Sequence, residues 1–340
     1  FSRVIDMSDK NILKKTIKEF KPDFVVASAT QDITIDALRI EQIGENEGKV
    51  MAASAAIQVV GWWTGYKIGG VISLITAEFF QQRGFENYWQ LSFLVLTLII
   101  LISSIALFFV PETGSSIRSA LQKKNDNIFL NKFKFKNKIS KIISWLYGTV
   151  IDPLASFFKK NSLSVAIGLL SFIFLFKIGE AFLGRMSIIF YKEIGFSKTD
   201  IALYSKGIGW ITTITFTLLG GLFAIQMGLV KAMFVSGIIM ALTNLMFSVL
   251  AWVGDSEILF AFTVLIDDLA AAFATVAFVA FISALVDRTY TATQFALLAS
   301  IGTAGRTLFA SSSGTLVDWL NGDWGVFFII TALMVIPSLL

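Results

Sequence analysis

Nine runs of apolar residues, each near the length of a membrane crossing, constrain this chain more than any other feature. They lie near residues 22–40, 49–79, 88–110, 162–190, 199–225, 230–252, 257–285, 292–317 and 324–340. A helix needs about 20 residues to cross roughly 30 Å of hydrocarbon. The runs are continuous and do not alternate with period two, which predicts helices and not a β-barrel. With 55% of 340 residues hydrophobic, the fold class expected is an all-α polytopic membrane bundle. No soluble domain of useful size fits between the runs.

Charge inside such runs is costly, roughly 2.5–3.5 kcal/mol for one residue at the bilayer centre on insertion scales. The first run nevertheless carries Asp32, Asp36 and Arg39. Spacings of four and then three residues put all three on one helix face. That face is expected to line a bundle interior or a water-filled cavity, and so to mark a polar pathway.

Other constellations extend the pathway. Lys177, Glu180 and Arg185 fall within about two helical turns, and Lys177 and Glu180, three apart, are placed to pair. Such a pair either locks the fold or serves a substrate or proton; burying an isolated structural pair is costly. Asp267 and Asp268 are adjacent. Neighbours on a helix point about 100° apart, so one is expected to line the path while the other meets a neighbouring helix or the outer interface. Two charged carboxylates this close repel, which suits proton exchange. Arg306, near Gly302 and Gly305, offers a planar fork for an anionic group; a carboxylate such as Asp267 or Glu180 is its structural alternative. Lys206, beside Gly207 and Gly209, repeats the theme. Gly61, Gly65 and Gly69 form G-x-x-x-G-x-x-x-G, expected to be a seam of close helix packing, with Tyr66 and Lys67 beside it.

Cysteine and histidine are both absent, which excludes thiol chemistry, disulfides and a histidine-ligated metal site. Any proton carried near neutral pH must then ride on a carboxylate. No phosphate-binding glycine loop, H-E-x-x-H or nucleophile–base pair occurs. No metal, no cofactor and no nucleic-acid partner are expected, and the chain is not expected to be an enzyme.

The one long polar connection, near 112–161, holds Arg118, Lys123, Lys124, Lys132, Lys134, Lys136, Lys138, Lys141, Lys159 and Lys160. The positive-inside rule puts it in the cytoplasm. Within it, residues 142–158 are amphipathic with Trp145, Phe157 and Phe158 on one side, which suggests either a helix on the anionic inner surface or a solvated linker. Lys49, Lys231 and Arg288 then fall inside as well. The lysine-rich segment 1–21 does not fit that orientation. A shift of 244 residues lays Ala52, Gly61 and Gly70 over Ala296, Gly305 and Gly314, an internal repeat. Three runs precede the linker and six follow it, so the expected organisation is an incomplete N-terminal half (1–111), a basic linker with an amphipathic helix (112–161) and a six-helix C-terminal half (162–340). The start at Phe1 and the stop at Leu340 suggest a fragment. Two six-helix halves joined by a cytoplasmic loop make the major facilitator architecture, with about nine of twelve helices in this chain.

The motif S-A-T-Q-D-I-T-I-D-A-L-R-I-E (Ser28–Glu41), followed by G-Y-K-I-G (Gly65–Gly69), resembles the AmpG muropeptide permeases. So do K-I-G-E-A (Lys177–Ala181), G-F-S-K-T-D-I-A (Gly195–Ala202), T-A-T-Q-F-A-L-L (Thr291–Leu298) and G-R-T-L (Gly305–Leu308). The resemblance implies a multi-pass protein of the bacterial inner membrane. Such a protein imports anhydro-muropeptides, the disaccharide and peptide fragments of wall turnover, driven by the proton gradient. Asp32, Asp36, Glu180, Asp267 and Asp268 are then the proton-coupling or salt-bridge residues. Gln31, Arg39, Tyr66, Lys67, Lys177, Arg185, Gln294 and Arg306 are the substrate contacts. The partners expected are a small anionic solute, protons and the bilayer, with a monomer as the working state. Two alternatives remain at this point: a carrier of another anion such as acetyl-CoA, and a membrane-embedded transferase acting on a wall or lipid precursor.

Overall fold

Proline and glycine punctuate the apolar runs and set where helices begin and end. Pro22, Pro153 and Pro337 each sit in the first turn of a helix, where a missing N–H costs nothing. Gly228 alone joins two helices, with φ near 80°, a conformation that glycine adopts without steric penalty. The computed structural model describes residues 22–44, 46–107, 109–110, 120, 124, 147–197, 200–201 and 209–339, and the regular elements among them are all helical.

These elements are α1 (Pro22–Glu41), α2 (Gly48–Gln82) and α3 (Tyr88–Leu107), then a π-helical turn (Tyr147–Ile151) running into α4 (Asp152–Lys160). There follow α5 (Leu163–Leu175), α6 (Ile178–Glu193), α7 (Gly209–Met227), α8 (Leu229–Val253) and α9 (Glu257–Leu285). The chain continues with α10 (Thr291–Ser311), α11 (Ser313–Trp319), α12 (Trp324–Leu333) and α13 (Ile336–Leu339). Helices α7 and α8 pack along α9, α12 lies on α8, and α10 lies on α5 and α6. The earlier helices join this bundle where α2 meets α7 and α9, and where α1 meets α10.

Four segments among the described residues are both long and apolar enough to cross a membrane: Tyr88–Ile105, Leu163–Glu193, Leu229–Val253 and Glu257–Leu285. Ile211–Met227 and Trp324–Leu339 are apolar but shorter. The nine crossings expected from the sequence therefore do not all meet that standard. Helices α1, α2 and α10 carry the charged and glycine-rich stretches, and these lower their hydropathy. The run at 162–190 is also not one helix; it breaks at Phe176 and Lys177 into α5 and α6. Of the aromatics expected on one side of residues 142–158, Phe157 is buried in the protein core and Phe158 packs against it, while Trp145 lies outside the described residues.

Among the described residues, the close helix approach that glycine permits is made elsewhere than at the G-x-x-x-G-x-x-x-G run. A Cβ built on Gly61, Gly65 or Gly69 meets nothing within 4 Å. Gly305, which a shift of 244 residues aligns with Gly61 in the sequence, lies directly against the Phe174 carbonyl of α5. Among the described residues no helix takes the corresponding place beside Gly61. The close approach of α2 to the later helices runs through Ala56, whose Cβ lies 2.5 Å from where Gly221 would carry one. Gly220, one residue earlier, faces Phe273 of α9 at 3.1 Å by the same measure. Two adjacent glycines thus let α7 sit against two helices at once. Gly221→Val is expected to lower the thermal midpoint in detergent, on the order of 1–3 kcal/mol for overpacking. Gly61→Ala, Gly65→Ala and Gly69→Ala should leave it unchanged or raise it, by roughly 0.5–1 kcal/mol each. Loss of stability in the second set and none in the first would reverse the assignment of the seam.

Candidate functional site

Arg39 organises the end of the bundle that carries the linker. It sits in the last turn of α1, where a cation suits the helix dipole, and its Nε lies 3.5 Å from Asp36 Oδ1 one turn back. Its two terminal nitrogens reach in different directions. Nη1 donates to Ser54 Oγ of α2 and Nη2 to Ser283 Oγ of α9, each at 2.9 Å. One guanidinium therefore fastens three helices, and the pair is well enclosed, with Asp36 only 6% exposed. Arg288, just beyond α9, donates to the Ile40 carbonyl at the end of α1, which also accepts from the Ile43 N–H. Asp32, on the expected common face, is exposed.

Next to this end, α4 is strapped to the loop after α9. Ser156 Oγ donates to Asp287 Oδ2 at 2.5 Å. Gln294 Oε1 accepts from the Asp287 N–H at 2.7 Å, and Gln294 Nε2 donates to the Pro153 carbonyl at 2.8 Å. Gln294 is 2% exposed, with its amide committed at both ends. Gln294 was expected among the substrate contacts; here its amide ties α4 to the loop after α9.

A second charged group lies at the break between α5 and α6. Lys177 occupies the break itself, and Glu180 lies in the first turn of α6, where the helix dipole favours an acid. Lys177 Nζ is 3.0 Å from Glu180 Oε2 and donates to Thr275 Oγ1 of α9 at 2.8 Å. Arg306 Nη2 of α10 comes within 3.6 Å of Glu180 Oε1. Glycine makes that approach possible, since Gly305 of α10 lies directly against the Phe174 carbonyl of α5, where a side chain would find no room. One carboxylate is thus shared by two cations, and the side chain of Arg306 stays 50% exposed. Its five N–H donors cannot all be used on a single carboxylate oxygen.

The adjacent aspartates diverge as their helical spacing requires. Asp267 Oδ1 accepts from Thr243 Oγ1 of α8 at 3.4 Å, while Asp268 Oδ2 accepts from Thr212 Oγ1 of α7 at 3.0 Å. Arg185 is exposed and makes no hydrogen bond or ion pair with a described residue. Tyr66 is exposed and stacked on Trp62, with ring centroids 5.8 Å apart. The side chains of Gln31 and Lys67, and Lys206, lie outside the described residues. The hydroxyl partners Ser54, Ser283, Thr212, Thr243 and Thr275 were not singled out from the sequence. A signal for them exists, because each lies in an apolar helix and must find an acceptor or donor there.

The comparisons with known proteins decide the family. No protein-family model matches the chain. A protein of Rickettsia felis named putative transporter AmpG 4 is 31% identical over 312 residues, covering 92% of this chain and 68% of its own length. This chain belongs to the AmpG-like transporters. The anhydromuropeptide permease of Escherichia coli K12 is 26% identical over 315 residues, which span 92% of this chain and 56% of that protein. Among solved structures, the proton:xylose symporter XylE, of the major facilitator superfamily, matches with a TM-score of 0.58 at 16% identity. That match covers 89% of this chain and 65% of XylE. The fold is therefore of the major facilitator type. The chain works as a secondary transporter in the bacterial inner membrane and not as an enzyme.

Asp287, in the loop outside the spanning helices, gives a pH test of the linker strap. Burial alone pushes its carboxyl up. The hydrogen bonds from Ser156 and from the Thr289 N–H, with the charge of Lys160, outweigh burial and hold it below its ordinary 3.8. A depressed carboxylate stabilises at pH values above its unfolded value and stops doing so as pH falls through the folded one. The strap is expected to hold at neutral pH and to release on the acid side of the ordinary carboxylate range. Hydrogen exchange of the α4 amides, corrected for the intrinsic pH effect, should rise over that acid range and, in Asp287→Asn, already at neutral pH. Exchange that ignores both changes would detach Asp287 from the strap.

Proposed function

We propose that this transporter imports anhydro-muropeptides with protons, through a bundle of two halves. On this reading, α1–α3 belong to an N-terminal half, residues 112–161 to a cytoplasmic linker and residues 162–340 to a six-helix half, with nine crossings in this chain. The observation that carries the reading is Glu180 held between Lys177 and a half-exposed Arg306 at a broken helix. Broken helices near mid-membrane are where transporters of this kind bind cargo. A carboxylate shared by two cations is exchangeable: an anionic group on the cargo takes the open donors of Arg306 and competes with Glu180 for it. Muropeptides carry carboxylates on their peptide, and the named Escherichia coli relative supports that cargo class.

Roles follow from position. Arg306 and Lys177 take the anionic end of the cargo; Arg185, Tyr66, Gln31 and Lys67 are further contacts. Asp267 and Asp268 carry the proton, since one proton on the pair relieves their mutual repulsion. Asp36 and Arg39, with Ser54 and Ser283, close the linker end and must separate for release into the cytoplasm. Asp32 is an outer member of the same path.

Uptake of a labelled anhydro-disaccharide tripeptide into membrane vesicles tests this reading. An inward proton gradient should drive uptake in the full-length transporter. Arg306→Ala should raise the half-saturation concentration by roughly ten-fold or more, the scale of one charge-assisted hydrogen bond, with smaller loss of the maximal rate. Asp267→Asn with Asp268→Asn should flatten the dependence on pH. Robust uptake of acetyl-CoA in place of the muropeptide, or bond-making on a wall precursor in detergent, would replace the reading.

A further inference from the structure

A polar atom buried in a helix bundle costs free energy if it finds no partner, and native proteins keep few such atoms. Among the described residues, α8 and α9 hold a group of them. Asn244 is wholly buried, and neither its amide nitrogen nor its amide oxygen meets a hydrogen-bond partner. The hydroxyl oxygens of Ser248 and Thr263 are likewise buried and unpaired.

Along α8 and α9 they lie within about a turn and a half of the level of one carboxylate, Asp267. Ser248 lies one turn from Asn244 along α8, and Thr263 lies one turn from Asp267 along α9. The two helices are joined by the short turn 254–256 and run antiparallel. Thr243, beside Asn244, donates to Asp267, so Thr263 lies one turn further from the linker end, level with Phe247. Asn244 also faces α6 and α12. A Cβ on Gly179 would lie 2.9 Å from Asn244 Nδ2 and 3.3 Å from the Thr331 carbonyl oxygen. Beyond this level aromatic rings pack between the helices. Tyr191 packs on Phe260 at 4.7 Å and Phe190 on Phe328 at 4.8 Å between centroids.

The donor set selects the occupant. A bare cation satisfies oxygens and leaves the Asn244 N–H groups unmatched. Water both donates and accepts, and a buried water typically makes about three hydrogen bonds to groups that otherwise lack them. We propose that Asn244, Ser248 and Thr263 hold buried water between α6, α8, α9 and α12, and that this water delivers protons to Asp267 from the side away from the linker. The first half stands alone; the second rests on the proton-coupled reading above. An excess proton on the water passes to the Asp267 carboxylate, leaving a neutral water and an uncharged carboxyl. The titratable groups around Asp267 are Asp268 on its own helix and Glu180 and Tyr191 on α6; α8 presents the hydroxyl of Thr243.

Hydroxyl-radical footprinting by X-ray radiolysis of water tests the site without any cargo. In the full-length transporter, the buried rings of Phe247 and Tyr191 are expected to be oxidised several-fold faster than in Asn244→Leu, which fills the space with an apolar side chain. Equal oxidation in the two proteins overturns the water site. Vesicle uptake of the labelled anhydro-disaccharide tripeptide tests the route. Gradient-driven uptake should fall by roughly a hundred-fold in Asn244→Leu, the lower range for losing a positioned proton-transfer partner. Counterflow exchange of the same probe, which needs no net proton movement, should persist. Gradient-driven uptake equal to wild type overturns the route and leaves proton coupling standing. Wild-type uptake that ignores the gradient overturns coupling and the route together, and the footprint then decides the water site by itself. Should Asn244→Leu fail to fold, Thr263→Val with Ser248→Ala carries both readouts.

Discussion

A charge that enters hydrocarbon must bring its own partners, and this requirement dictates which helices of the bundle are neighbours. Arg39 cannot sit in an apolar environment without using its nitrogens, so α1, α2 and α9 converge on it through Asp36, Ser54 and Ser283. Glu180 imposes the same demand at the broken helix, drawing Lys177 from the break and Arg306 from α10. The apolar contacts elsewhere are less selective, because lipid tails satisfy a leucine as well as another helix does. The exposed apolar side chains along α3, such as Phe93, Leu98 and Ile102, need no protein partner. The charged clusters are therefore what specify the arrangement.

The internal repeat gives the Arg39 cluster a geometric meaning. Arg39 and Ser283 are 244 residues apart, the same shift that aligns Ala52 with Ala296 and Gly61 with Gly305 in the sequence. Two residues that are equivalent under an approximate two-fold rotation can touch only near the rotation axis. On the proposed two-half organisation, the contact from Arg39 to Ser283 therefore lies close to the axis at the linker end. A contact there is an efficient latch, since a relative tilt of the halves opens it directly. Arg288 bonding to Ile40 adds a second tie between the same two chain segments. The strap from Asp287 to Ser156 anchors the linker helix to the loop that holds this tie.

How legible the molecule was depended on whether a residue's requirement is local. The apolar runs and the Lys177–Glu180 pair were readable because period and spacing alone fix them. The divergence of Asp267 and Asp268 follows from the same arithmetic of the helix. Three glycines four apart state that close approach is tolerated without naming the partner, and the approach seen among the described residues is at Ala56 and Gly221. The break at Lys177 was missed since no proline or positive-φ glycine marks it. The hydrogen bonds of the Gln294 amide were not readable, because sequence conveys a position and not the direction of an amide. Asn244 carried a signal that went unused: an asparagine inside an apolar helix has four hydrogen-bonding sites to satisfy.

Glu180 links the two chemical tasks of the proposed cycle. It bonds to Arg306 on the cargo side, and its charge is felt by Asp267. While Arg306 and Lys177 neutralise Glu180, little negative charge from it reaches the aspartate pair. When an anionic cargo takes Arg306, Glu180 loses one of its two cations, and more of its field falls on Asp267. On the proposed cycle, the proton site thus senses cargo at the other cluster through this field. By linkage the reverse holds with equal strength: a proton on Asp267 makes Glu180 easier to displace and the cargo easier to bind. Coupling of this kind needs no contact between cargo and proton. It needs a shared carboxylate, and the break between α5 and α6 is where the backbone places it.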